Sequence, residues 1–138
     1  MRLVIFGANG PSGRLLARRA LAEGHEVTAV TRHPDAFPVQ HDSLEVRAGD
    51  VLEQVDVVRA VAGHDAVLSL FGTTFTWKPL TLYSRGATNI VAAMREENVR
   101  RLVCVSSGGT SPGFDRTEGI VFGLIIKPTI GRSTYADL

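Results

Sequence analysis

The sequence predicts a single domain of three layers, α/β/α, in which helices cover both faces of a doubly wound parallel β-sheet. Two patterns predict this fold. Short apolar runs of strand length alternate with segments of helical periodicity, and turn-forming residues separate them. Continuous apolar runs are typical of parallel strands that are buried on both faces. Because crossovers between parallel strands are almost always right-handed, the simplest arrangement has five strands in the order 3-2-1-4-5.

Each predicted strand is a short run of mainly apolar residues. The first ends at Gly7, and the fifth is fully apolar until Ser106. Cys104 lies inside the fifth strand, where we expect it to be a small core residue. The five predicted strands are 3–6, Glu26–Thr31, Leu44–Ala48, 66–70 and 102–105.

Three helices are predicted between these strands. The first begins near Ser12, a residue type that caps helices, and stops at Gly24. The second, residues 53–62, is closed by Gly63, and the third ends at Asn98, which can adopt the left-handed conformation. Helical spacing assigns the apolar stripe of the third helix to Tyr83, Ala87, Ile90, Val91 and Met94.

Composition and charge argue against several classes of protein. Fifteen basic and fourteen acidic residues give a net charge of +1, and the arginines are scattered, so a nucleic-acid partner is not expected. No apolar run approaches the roughly 20 residues that span a membrane. The N-terminus lacks the long apolar region of a signal peptide. A single cysteine and four dispersed histidines indicate no metal site. We therefore expect a cytoplasmic protein without membrane contact.

A glycine-rich turn follows the first strand and opens the first helix. Residues 7–13 read Gly-Ala-Asn-Gly-Pro-Ser-Gly, with the spacing G-x-x-G-x-x-G. Gly7 permits the tight turn, Gly10 lets phosphates approach the backbone, and Gly13 lets the helix pack near the strand. The free N–H groups and dipole of a helix N-terminus favour a pyrophosphate there. In this context the pattern predicts a Rossmann-type dinucleotide-binding domain.

The end of the second strand predicts which dinucleotide is bound. It reads Thr31-Arg32-His33, and the nearest acid, Asp35, lies beyond it. An NAD site usually places an acid here for the ribose 2′-hydroxyl, whereas an NADP site needs a cation for the 2′-phosphate. Arg32 can form a bidentate pair with phosphate, so NADP(H) is the predicted cofactor. The alternative interpretation of Arg32 is a solvated surface arginine.

Five segments within residues 1–110 resemble one known family. They are GANGPSGR (7–14), GHEVT (24–28), GDV (49–51), VAGHDAV (61–67) and GATNIVAAM (86–94). In these segments the chain resembles the atypical short-chain dehydrogenases of the NmrA-like, NAD(P)H-binding group. Within that group it is most similar to the branch of the flavin reductases and biliverdin-IXβ reductases.

The resemblance implies roles for residues at the adenine and phosphate end of the site. Asn9, Pro11 and Ser12 are expected to line the phosphates, and Arg32 to meet the 2′-phosphate. Asp50 and Val51 are expected to border the adenine. Asp50 is equally well interpreted as a turn residue after the third strand, and one residue can serve both purposes.

The resemblance also implies the residues at the reacting end. Ser106 and Ser107 are expected to face the nicotinamide and the substrate, with Ser107 orienting the reacting groups as the main catalytic candidate. Beside the nicotinamide ribose we expect the residues that end the fourth strand, namely Leu70, Phe71 and Gly72.

Two features depart from the family pattern. Its members usually continue past residues 135–138 into further elements of the substrate pocket, so we expect a C-terminally shortened domain whose open sheet edge favours a homodimer. The Tyr-x-x-x-Lys pair of classical short-chain dehydrogenases is also missing, because Ala87 stands four residues after Tyr83, and only three residues follow Tyr135. Conventional alcohol oxidation and nucleotide-sugar epimerisation are therefore not expected.

The predicted activity is that of an NADPH-dependent reductase. Its small-molecule acceptor would be a flavin, a quinone-like compound or a tetrapyrrole bound under the loop 108–119, because hydride transfer to a flavin needs mainly orientation. The alternatives are a non-catalytic, NADP(H)-binding redox sensor of the NmrA-like type and an inactive fragment that pairs with itself.

Overall fold

The computed structural model describes residues 1–72, 81–106 and 137. In chain order this part contains five strands and three α-helices. They are β1 (Arg2–Phe6), α1 (Pro11–Ala22), β2 (Glu26–Thr31), β3 (Leu44–Ala48), α2 (Gln54–Val61), β4 (Ala66–Ser69), α3 (Leu82–Glu96) and β5 (Leu102–Cys104). A single 3-10 turn, Pro34–Ala36, follows β2. None of the described helices is long and apolar enough to cross a bilayer.

The strands form one parallel sheet in the order β3-β2-β1-β4-β5, which confirms the predicted topology. The bounds of β2 and β3 are those predicted, and the other three strands differ by one residue at one end. The chain enters the sheet at β1, runs outward to β3, and then returns to β4 on the other side of β1. The strand order therefore reverses between β1 and β4, and ligands of such sheets bind at the carboxyl ends beside that point.

The core is divided by the sheet into two clusters, because successive residues of a strand point to opposite faces. On one face Val4 and Phe6 of β1 pack with buried residues of α2 and α3, among them Val57 and Ile90. On the other face Leu3 and Ile5 pack with Ala17, Ala20 and Leu21 of α1. One helix thus covers one face and two helices cover the other, as the three-layer prediction requires.

Helix α1 begins differently from the prediction. Ser12 is not its cap, because the helix begins at Pro11 and Gly10 occupies the capping position without a side-chain hydrogen bond. Proline is well tolerated at the first helical position, since its fixed φ suits a helix and its missing N–H has no intrahelical acceptor there. The predicted stop is confirmed, because Gly24 has a φ of +78° just after the helix.

Helix α3 buries a stripe that includes small residues. Of the predicted stripe, Ile90 and Met94 are buried but Ala87 and Val91 are exposed, and Gly86 and Ala93 are buried in their place. The prediction was wrong at Ala87 and Val91. Apolar periodicity does not count a glycine, whereas Gly86 is buried because the Phe71 ring packs against the helix there. Asn98 adopts a φ of +57° after the helix, as predicted.

The position of Cys104 is a second correction. It is exposed, as are the other residues of β5, so it is not the core residue expected from the sequence. Within the described part of the chain, β5 has one neighbouring strand, β4. A continuous apolar run usually indicates a strand that is covered on both faces, whereas the side chains of β5 are exposed.

His64 joins the turn before β4 to the amino-terminal half of β2. Its Nδ1 lies 3.0 Å from the carbonyl oxygen of Ala62, and its Nε2 lies 2.8 Å from Oγ1 of the buried Thr28. A carbonyl only accepts, so Nδ1 donates the ring proton and Nε2 accepts from the threonine hydroxyl. Burial lowers the pKa of His64, and the positive charges of Arg47 and Arg2 lower it further.

We predict that His64 makes the fold sensitive to mild acid. The pKa of His64 in the folded protein lies below the usual 6.5. The neutral ring therefore stabilises the fold fully above pH 6.5, and this contribution is lost as the pH falls through the pKa of the folded state. Urea unfolding of the wild type and of His64→Gln, measured from neutral pH downwards, should show the wild type losing more stability than the variant. A difference between the two proteins that does not change with pH would contradict this.

Candidate functional site

A cavity of about 360 Å³ lies at the carboxyl ends of β1 to β4, beside the point where the strand order reverses. It collects residues from four separate turns, as expected for a ligand site in this topology. Nine of the residues predicted to bind the cofactor line it, namely Gly7, Asn9, Gly10, Arg32, Asp50, Val51, Leu70, Phe71 and Gly72.

The other predicted site residues lie elsewhere. Pro11, Ser12 and Gly13 form the first turn of α1 and do not line the cavity. Ser106 is exposed after the end of β5 and does not line it either. Ser107 and the loop 108–119 lie outside the described residues. The structure therefore brings to the cavity six of the nine residues predicted for the phosphate and adenine end, and three of the four described residues predicted for the reacting end.

The three positions of the turn require glycine for different structural reasons. Gly7 has a φ of +77°, and a Cβ there would lie 2.6 Å from the carbonyl carbon of Leu70. A Cβ on Gly13 would lie 2.7 Å from the Cα of Ala8. Among the described residues, a Cβ on Gly10 would meet one atom, the Gly7 carbonyl oxygen, at an ordinary 3.4 Å. Packing thus demands the first and third glycines, whereas no described residue fills the space over Gly10, as a ligand that approaches the backbone requires.

The start of α1 is free to receive an anion. Gly10 is extended, and the N–H of Arg14 is the first to bond back to it, at 2.9 Å from its carbonyl oxygen. The N–H groups of Ser12 and Gly13 donate to no acceptor in the part of the chain that the structure describes. No acidic residue lies in the first turn. These groups fit the phosphates of a dinucleotide, which would accept hydrogen bonds at the positive end of the helix dipole.

The end of β2 supplies positive charge to the same cavity. Arg32 is exposed, lines the cavity, and has no hydrogen bond or ion pair with any described residue. The backbone N–H of His33 donates to Oγ1 of Thr31 at 3.2 Å, which shapes the turn that carries both basic residues. His33 also lines the cavity and was missed by the sequence analysis, although it directly follows Arg32.

Asp50 is a turn residue, as one of its two interpretations predicted, and it also lines the cavity. Its Oδ1 accepts from the N–H of Leu52 at 3.0 Å, as in a turn closed by an aspartate side chain, and its own N–H donates to Asp56 at 3.1 Å. It also lines the cavity beside Val51. The turn therefore fixes the aspartate in place on the cavity wall.

The far wall of the cavity is apolar and is held by α3. Phe71 lines the cavity and stacks on Tyr83, with ring centroids 6.1 Å apart. A Cβ on Gly86 would lie 2.8 Å from the tip of the Phe71 ring, so only glycine allows the ring to pack against the helix there. Asn89 donates to the carbonyl oxygen of Val51 at 3.0 Å. The segment 86–94 thus positions two parts of the cavity wall, the Phe71 ring and the backbone at Val51.

Asp137 caps helix α3 from far along the chain. Its carboxylate accepts from the backbone N–H of Tyr83 at 2.7 Å and of Ser84 at 3.3 Å, and also from the Ser84 hydroxyl. Thr81, at the capping position itself, makes no side-chain cap. No local pattern reveals a cap supplied from more than fifty residues away, so the sequence analysis missed Asp137. The cap supports the turn that carries Leu82, another lining residue.

The family described as NAD(P)H-binding matches residues 7–133 of this chain. An uncharacterised protein from Mycobacterium tuberculosis is 34% identical over 109 residues, which are 78% of this chain and 12% of that protein. A 3-beta-hydroxysteroid dehydrogenase from Mycolicibacterium neoaurum is 29% identical over 123 residues, which are 81% of this chain and 33% of that enzyme.

A solved structure also matches most of this chain and less than half of the other protein. Uronate dehydrogenase from Agrobacterium tumefaciens aligns with a TM-score of 0.71 and 27% identity, over 86% of this chain and 45% of that enzyme. A variant of that enzyme was solved in complex with NAD. The chain spans less than half the length of each of these three proteins.

We predict that Asp137→Ala weakens the start of α3. Losing an N-terminal cap typically costs about 1 kcal/mol of stability. Asp137→Asn should lose much less, because asparagine caps helices nearly as well. Denaturant unfolding combined with hydrogen exchange at the amides of Tyr83 and Ser84 measures both effects. Unchanged exchange at these two amides in the alanine variant would contradict the capping role.

Proposed function

Since the chain belongs to the NAD(P)H-binding family, we propose that it is an NADPH-dependent reductase that passes hydride to a flavin, quinone-like or tetrapyrrole acceptor. One observation carries the proposal. The cavity at the carboxyl edge joins a glycine turn, an arginine that has no partner among the described residues, and an apolar wall. These suit, in that order, the phosphates, the adenosine end and the nicotinamide of a dinucleotide.

The preference for NADPH rests on Arg32. Its guanidinium reaches the cavity without a partner among the described residues, and no acid stands at the end of β2. A planar guanidinium matches a phosphate with two parallel hydrogen bonds.

The N–H groups of Ser12 and Gly13 would receive the pyrophosphate, with Asn9 beside them. Pro11 has no N–H, so it can only shape this turn. Asp50 and Val51 would border the adenine.

The reductase activity rests on the apolar wall. Bound nicotinamide supplies the hydride, and the wall would exclude water from its ring. The residues that line this end of the cavity, Leu70, Phe71, Gly72 and Leu82, have no side chain that can donate a proton. The Tyr83 hydroxyl is not part of the lining, although it lies near Gly72, 3.6 Å from where a Cβ on that glycine would stand. Acceptors that take hydride without a positioned acid, as flavins do, are therefore favoured. Ser106 and Ser107 would orient the acceptor. The hydroxysteroid and uronate enzymes that this chain resembles are both dehydrogenases, which supports hydride transfer as the reaction type.

The second candidate function is a redox sensor that binds NADP(H) without turnover. The lack of a proton-donating side chain among the described residues that line this end of the cavity favours it. A sensor needs the phosphate and adenine contacts but no acceptor. The two functions therefore share their binding site and differ only in turnover.

One assay separates the candidates. The purified protein is mixed with NADPH and FMN, riboflavin, a quinone or biliverdin, and loss of the reduced nicotinamide absorbance is followed. Turnover with any of these supports the reductase, whereas binding without turnover supports the sensor. In a further arm, NADP⁺ is supplied with a hydroxysteroid or a uronic acid. Reduction of NADP⁺ there, with no turnover of the first panel, would contradict the proposed acceptor class.

We predict that Arg32→Ala selectively weakens NADPH binding. A hydrogen bond to a charged group contributes about 1.5–3 kcal/mol, so the Kd for NADPH should rise roughly tenfold to a hundredfold. The Kd for NADH should barely change, because NADH lacks the 2′-phosphate. Arg18→Ala is the matched control, since Arg18 is an exposed arginine of α1 that does not line the cavity. Equal losses for both dinucleotides would show that Arg32 does not read the 2′-phosphate.

We also predict that the glycines of the turn separate folding from binding. Gly10→Ala should unfold like the wild type, because its Cβ meets no atom closer than 3.4 Å, but should lose dinucleotide affinity. Gly13→Ala should lower the unfolding temperature, because its Cβ overlaps the backbone of the turn. Thermal unfolding and calorimetric titration with NADPH measure the two properties. A Gly10→Ala protein that binds normally would argue against a ligand over this position.

A further inference from the structure

Arg14 stands where helix electrostatics disfavour a cation. It is the fourth residue of α1, in the turn at which the helix dipole places partial positive charge. No acidic residue lies in this first turn. Within the described part of the chain, no carboxylate pairs with Arg14. Such a local conflict without a compensating contact is typical of functional sites.

The side chain of Arg14 folds back over the glycine turn. Its Nε donates to Oδ1 of Asn9 at 2.9 Å, and this contact is partly buried. The guanidinium therefore lies against a residue of the cavity wall, since Asn9 lines the cavity. Arginine carries five N–H donors, and the four on its terminal nitrogens have no acceptor among the described residues. Arg14 does not itself line the cavity, so the lining residue Asn9 is what connects this planar donor group to the site.

The bond from Arg14 also decides what Asn9 presents to a ligand. An asparagine amide has one acceptor, Oδ1, and one donor group, Nδ2. Because Oδ1 accepts from Arg14, the group left for a ligand is the Nδ2 donor. A phosphoryl oxygen only accepts hydrogen bonds. The pair thus presents donors where an anion is expected.

We propose that Arg14 is a second phosphate-binding cation of this site and also the residue that positions Asn9. The inference rests on the proposed function, because the phosphoryl group belongs to the dinucleotide. Its negative charge would balance both the guanidinium and the helix N-terminus, which removes the conflict at α1. The phosphoryl group has two sources, the pyrophosphate common to NADH and NADPH and the 2′-phosphate of NADPH alone.

Titration calorimetry with NADPH, NADH and 2′,5′-ADP tests the proposal on wild type, Arg14→Ala and the control Arg18→Ala. We expect Arg14→Ala to weaken NADPH binding by about tenfold or more, as for a lost charge-assisted hydrogen bond. Its thermal unfolding temperature should stay the same or rise, because a cation leaves the helix N-terminus. A merely structural arginine would instead lower the unfolding temperature when it is removed.

The three ligands identify the phosphoryl group. Equal losses for NADPH and NADH assign Arg14 to the pyrophosphate, whereas losses confined to NADPH and 2′,5′-ADP assign it to the 2′-phosphate. The double variant Asn9→Ala, Arg14→Ala should lose less affinity than the two single losses together, because Asn9 depends on Arg14 for its orientation.

Two results would overturn the inference. If the wild type and Arg32→Ala differ in NADPH affinity but Arg14→Ala binds all three ligands like the wild type, the role of Arg14 fails while the proposed function stands. If the wild type binds none of the three ligands, both proposals fail.

Discussion

At the carboxyl end of β1, three backbone segments meet without room for a side chain. Gly7 leaves the strand with a positive φ beneath the backbone of Leu70 and Phe71, and Gly13 brings α1 against the same turn. The N–H of Leu70 donates to the carbonyl oxygen of Phe6 at 2.9 Å, which continues the pairing of β1 and β4 to this edge. This contact fixes where α1 begins, and therefore where its free N–H groups lie. The cavity is a consequence of that close approach.

The charges around the cavity follow from the same arrangement. The N-terminus of α1 and Arg14 lie on one side, and the end of β2 brings Arg32 and His33 to the edge of the cavity. The acid on the wall, Asp50, is engaged by the backbone N–H of Leu52. Among the described residues, the site has two arginines that no carboxylate pairs with, backbone N–H groups without an acceptor, and one carboxylate that is engaged by the backbone. Such a site suits an anion that carries more than one negative charge. The apolar wall at Phe71 gives the other half of the cavity a different character, which suits a flat ring.

The sequence predicted the topology, and each strand bound to within one residue, because the patterns that determine them are local. Apolar runs, helix stops and the glycine turn all act within a few residues, so the strand order could be derived from them. It did not predict the exposure of Cys104, which depends on β5 having one neighbouring strand among the described residues. Nor did it predict what lies at the N-termini of α1 and α3. Gly10 serves α1 without a side chain, and Asp137 serves α3 from a distance at which no sequence pattern operates.

In the candidate site, too, the sequence predicted the features that depend on local patterns and missed those that depend on contacts between side chains. Residues in turns that directly follow a strand, such as Arg32 and Asp50, were placed correctly at the cavity. Arg14 was not singled out, because its importance lies in a side-chain contact with Asn9. The most direct test of the account is calorimetric titration of the wild-type chain with NADPH and with NADH. The account predicts that both bind and that NADPH binds more tightly. Tighter binding of NADH, or binding of neither, would contradict it.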